Sequence, residues 1–417
     1  MRKWIVPLLA LLLVAGMLSF PRPAHAVACT LDRVPAATLL LPYFEVDLGR
    51  PNGRTTLLAV VNTSAQAQIA HLVLWTDLGV PTFTLDLYLT GFDTQSLNLR
   101  DLFAGALPQT ADAARDPNDH TSPRGRLSQD ASFPGCEGLP PPPLTAVFLE
   151  HLRTAHTGLG SPLFNGFCAG LGHGDNVARG YITVDVARRC SYLFPGVPGY
   201  FGPDGVVGMD NVLFGDYVYL DSENNLSDGN SLVAIEAAPA RFGPGAPTFY
   251  RRYVANSGAD GREPLPTRWA LRFLIGGAFS GGTDAIAWRE VGGQTEPFAC
   301  GQLPSWFPAT QREFVVFDEQ EHPELPFSCP FECPPQPILA PFPGAANRTR
   351  VGGSALPVPF NFGWLFLDLN PIEIGSGSSF AQSWMGTIHS ARGRFSVGLG
   401  ATALDSGCDP GTIAVGY

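Results

Sequence analysis

The sequence predicts a mainly β protein, built of antiparallel β-sandwiches with one inserted helix and long Pro/Gly-rich loops. Three observations carry that expectation. Short runs alternate apolar and polar residues with period two, 47 glycines and 39 prolines punctuate them, and a single segment has convincing helical periodicity. Strands do not alternate with helices, which argues against a parallel α/β fold.

Taken in chain order, the first element is not part of the fold. Arg2 and Lys3 precede an apolar run from Trp4 to Leu18, and Ala24-His25-Ala26 offers small residues to a peptidase. Residues 1–26 read as a secretory signal peptide cleaved after Ala26. The apolar run falls short of the ~20 residues a spanning helix needs, so no transmembrane segment is expected after signal removal, and the product is secreted or periplasmic. All eight cysteines, Cys29, Cys136, Cys168, Cys190, Cys300, Cys329, Cys333 and Cys408, follow the cleavage point, and an even count in an exported chain predicts full pairing. A Cys29–Cys408 bond would clip the mature ends together.

Among the strands, "FTLDLYL" sets Phe83, Leu85, Leu87 and Leu89 on one face, and "YITVDV" does the same with Ile182, Val184 and Val186. "RWALRFLI" turns Trp269, Leu271, Phe273 and Ile275 inward and Arg268 and Arg272 outward; "RFSVGLGA" alternates Phe395, Val397, Leu399 and Ala401 with small or polar residues. Each is expected to be half-buried. "TLLAVVN" (56–62) and "AHLVLW" (70–75) are apolar on both faces and belong in mid-sheet or between sheets. The one helix follows four prolines in "PPPPLTAVFLEHLRTAHTG", with Leu144, Val147, Phe148, His151, Leu152 and Ala155 as its apolar stripe and Gly158 as its stop. Residues 105–135, poor in large apolar groups, form the loop that introduces it. The proline-dense stretch 326–343 has no place in a sheet interior, because proline lacks the ladder donor. The division that follows is a sandwich over 27–240, with loop and helix inserted at about 105–177, and a second sandwich, or the completion of the first, over 241–417. The break falls near 239–248.

The chain carries 26 bases and 37 acids; removing the three bases of the signal leaves 23 against 37, a balance of −14. Such a chain repels nucleic acid and anionic membranes. Lys3 is the only lysine, so a phosphate-cradling loop with lysine is excluded, and the arginine, glycine and proline bias reads as that of a GC-rich bacterial genome.

Candidate chemistry is sparse. In "YVYLDSENNLSDGNSLVAIEA" a loop between two apolar runs holds Asp221, Glu223, Asn224, Asn225, Asp228 and Asn230, oxygen ligands of the type calcium takes. Asp221, Glu223, Asn225 and Asp228 are the candidate ligands. Leu226 stands where an EF-hand has its glycine, however, and Asp, Asn, Ser and Gly are also what ordinary turns use, which is the preferred reading. Apart from calcium at this loop, no cofactor is expected. His151 and His156, about 140° apart on a helix, cannot grip one ion. His173 and Asp175 in "GLGHGDN" make the most enzyme-like pair, a base and its orienter, but no nucleophile accompanies them and G-x-S-x-G is absent. "CPFEC" near His322 lacks a fourth zinc ligand and reads as disulfide chemistry. "GTIAVGY" (411–417) resembles the terminal strand of an outer-membrane barrel, but prolines interrupt the chain too often for one. The expected role is binding or structural, toward a protein or glycan surface in the envelope or outside the cell, rather than enzymatic. The alternatives are a secreted hydrolase of extracellular polymer and an outer-membrane-associated component.

Overall fold

The computed structural model describes residues 33–108, 144–254, 260–291, 296–302, 304, 312–324, 340–370 and 381–405. The expected signal peptide, most of the introducing loop, most of the proline-dense stretch, the terminal "GTIAVGY" and cysteines 29, 136, 329, 333 and 408 lie outside the described residues.

The first half runs β1 (Thr38–Asp47), β2 (Thr55–Asn62), β3 (Gln68–Thr76), β4 (Pro81–Leu89), β5 (Thr94–Asn98), helices α1 (Leu99–Ala104) and α2 (Ala146–His156), a 3-10 turn (Pro162–Phe164), β6 (Val177–Ala187), β7 (Leu213–Asp221), β8 (Leu226–Ser231) and β9 (Val233–Ile235). The second half runs α3 (Arg251–Val254), β10 (Arg268–Leu274), β11 (Gly282–Val291), β12 (Glu313–Phe317), β13 (Pro323–Glu324), β14 (Ala346–Arg350), β15 (Phe362–Asp368), β16 (Ala381–Ala391), β17 (Phe395–Gly400) and β18 (Thr402–Ala403). Sheets of order β4-β3-β6-β1-β9 and β5-β2-β7-β8 make the first sandwich; β13-β12-β15-β10-β18 and β14-β11-β16-β17 make the second. Every ladder between these strands is antiparallel. The chain is thus mainly β, as its period-two patterning requires.

The two sandwiches share one core. Trp75 stacks on Tyr181 at 5.5 Å, Tyr181 meets Trp288 edge-on at 5.9 Å, and Trp288 stacks on Phe249 at 5.4 Å, an aromatic series running from β3 and β6 to β11. A seam joins the edge strands β8 and β17, where Ser227 and Ser396 exchange hydrogen bonds of 3.1 and 3.0 Å and Asn225 Nδ2 donates to the Arg394 carbonyl. A Cys168–Cys300 disulfide, with Cα atoms 5.0 Å apart, ties the segment after α2 to the segment after β11; Cys190 is disulfide-bonded too.

Packing between the halves corrects several strand expectations. "YITVDV" is buried on both faces, because β6 has the second half packed on the side its polar residues face. "AHLVLW" is buried on both faces as expected, whereas "TLLAVVN" in β2 has only one fully buried face, although it does lie mid-sheet between β5 and β7. Trp269, Leu271 and Phe273 point inward, with Arg272 exposed. Phe395, Val397 and Leu399 are instead 46, 40 and 42% exposed. They sit on an edge strand, and the facing sheet ends in β18, which is only two residues long.

Helix α2 forms where expected, capped by Thr145 Oγ1 accepting from the Phe148 amide at 3.2 Å, and the chain leaves it through Gly158 at φ +72°. Leu152, Ala155, His151 and His156 face the body, but Val147 is 55% exposed. At 3.6 residues per turn Val147 lies about 100° from Phe148 and falls off the stripe. His151 Nδ1 meets Ser161 Oγ at 2.5 Å, and His156 bridges Thr82 Oγ1 (2.8 Å) and the Arg179 carbonyl (2.9 Å). Burial pushes the His156 imidazole down to about 3, so it is a neutral core histidine.

Behind β6 the buried carboxylate of Asp185 accepts from Thr38 Oγ1 (2.5 Å), Tyr200 (2.6 Å) and Tyr250 (2.8 Å), and the buried Arg262 guanidinium approaches to 3.4 Å. Arg262 also donates to the Gly208 and Asp260 carbonyls, both at 2.9 Å. Deleting one member of a fully buried pair strands the other charge, which costs about 3–5 kcal/mol. The variant Arg262→Met is therefore expected to lower unfolding free energy by about that amount in chemical denaturation, with a smaller loss in the double variant Arg262→Met/Asp185→Asn.

Candidate functional site

The segment "PYFEVD" places Glu45 near the end of β1, between apolar neighbours and buried. A carboxylate taken out of water needs compensating charge, and three arginines from different parts of the chain supply it. Arg54, just past the β1–β2 turn, places Nη1 3.0 Å from Glu45 Oε2; Arg348 of β14 places Nη1 at 2.9 Å; Arg179 of β6 approaches Oε1 at 3.8 Å. The Tyr43 hydroxyl donates to Oε1 at 2.6 Å. Burial alone would raise this carboxyl, but the guanidiniums of Arg348 and Arg54 and the Tyr43 hydroxyl outweigh it and hold it at about 2.

Arg348 does not stop at Glu45. Its Nη2 and Nε reach Asp284 Oδ2 of β11 at 2.7 and 3.0 Å, and Asp284 Oδ1 takes Arg350 Nε at 2.9 Å. Arg54 in turn donates from Nε to Asp221 Oδ2 at 3.0 Å. The charges alternate as Asp221, Arg54, Glu45, Arg348, Asp284, Arg350, and the series crosses from the first sandwich to the second. From Arg54 to Arg350 it lines a cavity of about 550 Å³ between the two, whose wall also includes Asp77, His173 and Arg179. That volume lies within the roughly 300–1,000 Å³ of small-molecule sites.

His173 does reach this cavity, but its carboxylate partner is not the expected one. His173 Nε2 lies 3.4 Å from Asp77 Oδ2, while Asp175 makes a two-point contact with Arg179, at 2.9 and 2.5 Å, that holds its carboxyl down at about 2. Spacing of two residues pointed at Asp175; the turn after β3, which carries Asp77, lies beside the 171–173 loop only in the folded chain. The Asp77 carboxylate accepts the Leu171 amide at 3.0 Å and its carbonyl accepts the Ala345 amide at 2.8 Å, so one residue binds loops of both halves.

The four candidate calcium ligands are spent separately. Asp221 is engaged by Arg54 and by the Asn224 amide (3.1 Å) and side chain (2.8 Å), and Glu223 pairs with Arg50. Asn225 adopts φ +51° and donates toward the Gly393 and Arg394 carbonyls, the left-handed turn use anticipated for this loop. Asp228 lies at the seam, where burial pushes its carboxyl up to about 6 against the pull of the Gly398 and Gly229 amides. Asp210 precedes an unbroken β7 and stands at the strand's far end from Asp221. Among the described residues no group of three or more His, Cys, Asp or Glu side chains is placed to hold a metal ion, and no helix is long and apolar enough to cross a membrane.

Glu45, Arg54, Asp284, Arg348 and Arg350 were not singled out from sequence. The available signal is a charge inside an apolar strand, as in "PYFEVD" and "TDAIAWRE", which marks a buried pair without saying which charge meets which; the polar "ANRTR" carries no such signal for Arg348 and Arg350.

These features define a two-sandwich β protein with a charged cleft between its halves. No known protein family matches the chain, and no curated protein or solved structure matches it either.

Two outcomes follow from this electrostatic arrangement. A carboxyl whose folded value lies below its ordinary 4.5 contributes stability above 4.5 that is lost as pH falls toward 2. Unfolding free energy measured between about pH 5 and 3 is expected to fall more steeply in wild type than in Glu45→Gln, which is less stable throughout. With the loop carboxylates engaged by arginines and amides, the melting temperature is expected to be the same in calcium and in chelator, as differential scanning calorimetry would read.

Proposed function

We propose that this chain is an exported, disulfide-stabilised binding protein of the bacterial envelope or exterior, and that its ligand seat is the cleft between the two sandwiches. The observation that carries this reading is the cavity itself: about 550 Å³, walled by both halves, with charged groups held in place by one another. Side chains immobilised before the ligand arrives lose little further entropy on binding, and this favours recognition. The signal-like N-terminus and even cysteine count support export, and the Cys168–Cys300 bond is of the kind an oxidising compartment sustains.

Binding is favoured over turnover by the state of the carboxylates. Glu45, held at about 2, is no proton donor near neutrality, and Glu45 and Asp284 share the Arg348 guanidinium instead of facing one another across open space. A second reading, a hydrolase, is favoured by His173 beside Asp77 on the cavity wall, a base and its orienter.

The two separate on one experiment. Purified mature protein is screened by thermal shift against glycans, peptides and organic acids, and by turnover against hydrolase substrates. Binding that is lost in Ala355→Trp, which crowds an exposed position on the cavity wall, is the expected result; turnover abolished by His173→Ala would replace it with the hydrolase reading.

A further inference from the structure

Resting on the cleft as a ligand seat, we infer that the ligand group it takes is a carboxylate, received at an open guanidinium end on the cavity wall, that of Arg350 or that of Arg54.

The inference comes from counting hydrogen-bond capacity around the cavity. On the acceptor side every carboxylate oxygen already has a partner. Glu45 Oε2 takes Arg54 and Arg348, and its Oε1 takes the Tyr43 hydroxyl. Asp284 takes Arg348 twice on Oδ2 and Arg350 on Oδ1, and Asp77 takes the Leu171 amide on Oδ1 with His173 at Oδ2. On the donor side there is a surplus. A guanidinium has five N–H groups in a fixed fork. Arg54 spends Nε on Asp221 and Nη1 on Glu45; Arg350 spends Nε on Asp284 and Nη1 on the Gly281 carbonyl. Among the described residues the Nη2 of each has no partner. Both side chains reach solvent, at 36 and 50% exposure, and both line the cavity.

The cavity wall carries Arg54, Arg179, Arg348 and Arg350 against Glu45, Asp77 and Asp284, with Asp221 and Asp175 pairing with Arg54 and Arg179 from behind it. A ligand entering this wall meets open N–H groups beside carboxylate oxygens that already have partners. Planar N–H pairs match a carboxylate. The carboxylate can come from a free organic acid or from a uronic-acid residue of a glycan; the chemistry at the wall is the same.

The experiment is calorimetric titration of the full mature protein with citrate, trigalacturonate and galactose, in wild type, Arg350→Gln, Arg350→Lys and Ala355→Trp. Arg350 is the choice because its removal leaves Arg348 on Asp284, and a thermal melt of each variant confirms folding. Carboxylate binding weakened at least tenfold in Arg350→Gln, partly restored in Arg350→Lys and weakened by added salt is the expected result. Citrate alone assigns the site to free acids and trigalacturonate alone to an acidic glycan; either supports the inference. Galactose binding as tightly as trigalacturonate, with both lost in Ala355→Trp, would overturn the carboxylate and leave the cleft as the seat. Carboxylate binding untouched by Arg350→Gln and Ala355→Trp would overturn both. An absence of binding by either acid at about 1 mM would overturn the carboxylate while the wider ligand screen still decides the cleft.

Discussion

Arg348 sits between two carboxylates that belong to different sandwiches, Glu45 of β1 and Asp284 of β11, at 2.9 and 2.7 Å. All three groups are largely withdrawn from water, so none is tolerable there without the others. This single guanidinium converts two separate charge problems into one shared solution, and in doing so sets the spacing between the halves. The cleft is what remains beside it: the same alternating series that closes the interface forms the cavity wall. Stability and a binding surface are therefore one arrangement, because the charges that hold the sandwiches together are the charges a ligand would meet.

Other contacts between the halves give that bridge a rigid setting. The aromatic series from Trp75 to Phe249 fills the interior, and Asp185 with Thr38, Tyr200, Tyr250 and Arg262 makes a polar counterpart behind β6. Arg262 enters this cluster from beyond β9, so the chain between the sandwiches is fastened to the first of them. The β8–β17 seam and the Cys168–Cys300 bond fasten the two halves at further points. Buried polar groups of this kind contribute less to net stability than to choosing one arrangement over its neighbours, since any shifted packing leaves charges unpaired. Fixed relative placement is what a cleft walled by both halves requires.

Much of the fold is legible in the sequence because period two is a local property. Phe83 to Leu89 and Trp269 to Phe273 announce strands without reference to anything distant, and the four prolines, apolar stripe and Gly158 stop announce a helix. Of the stretch from Asp221 to Asn230, only 222–225 is the turn that Asn and Asp chemistry announces; Leu226 to Asn230 pair with β7 as strand β8, a pairing no turn residue specifies. The errors fall where burial depends on a partner element. Val397 and Leu399 carry a sound inward alternation, yet the facing sheet ends at β18 and leaves them open. Thr183 and Asp185 carry a sound outward alternation, yet the second half covers them. Strand pattern states which residues share a face and is silent on what covers it.

The candidate site follows the same division. Sequence alone determined the strand content, the single long helix, an acidic chain and a histidine in a glycine-rich loop, all set within a few residues of one another. Only tertiary structure decided that His173 faces Asp77 and not Asp175, and that Glu45, Arg54, Asp284 and Arg348 meet. Glu45 and Arg348 are separated by 303 positions, and a Coulombic pair acts over a few ångströms of space whatever the length of chain between its members.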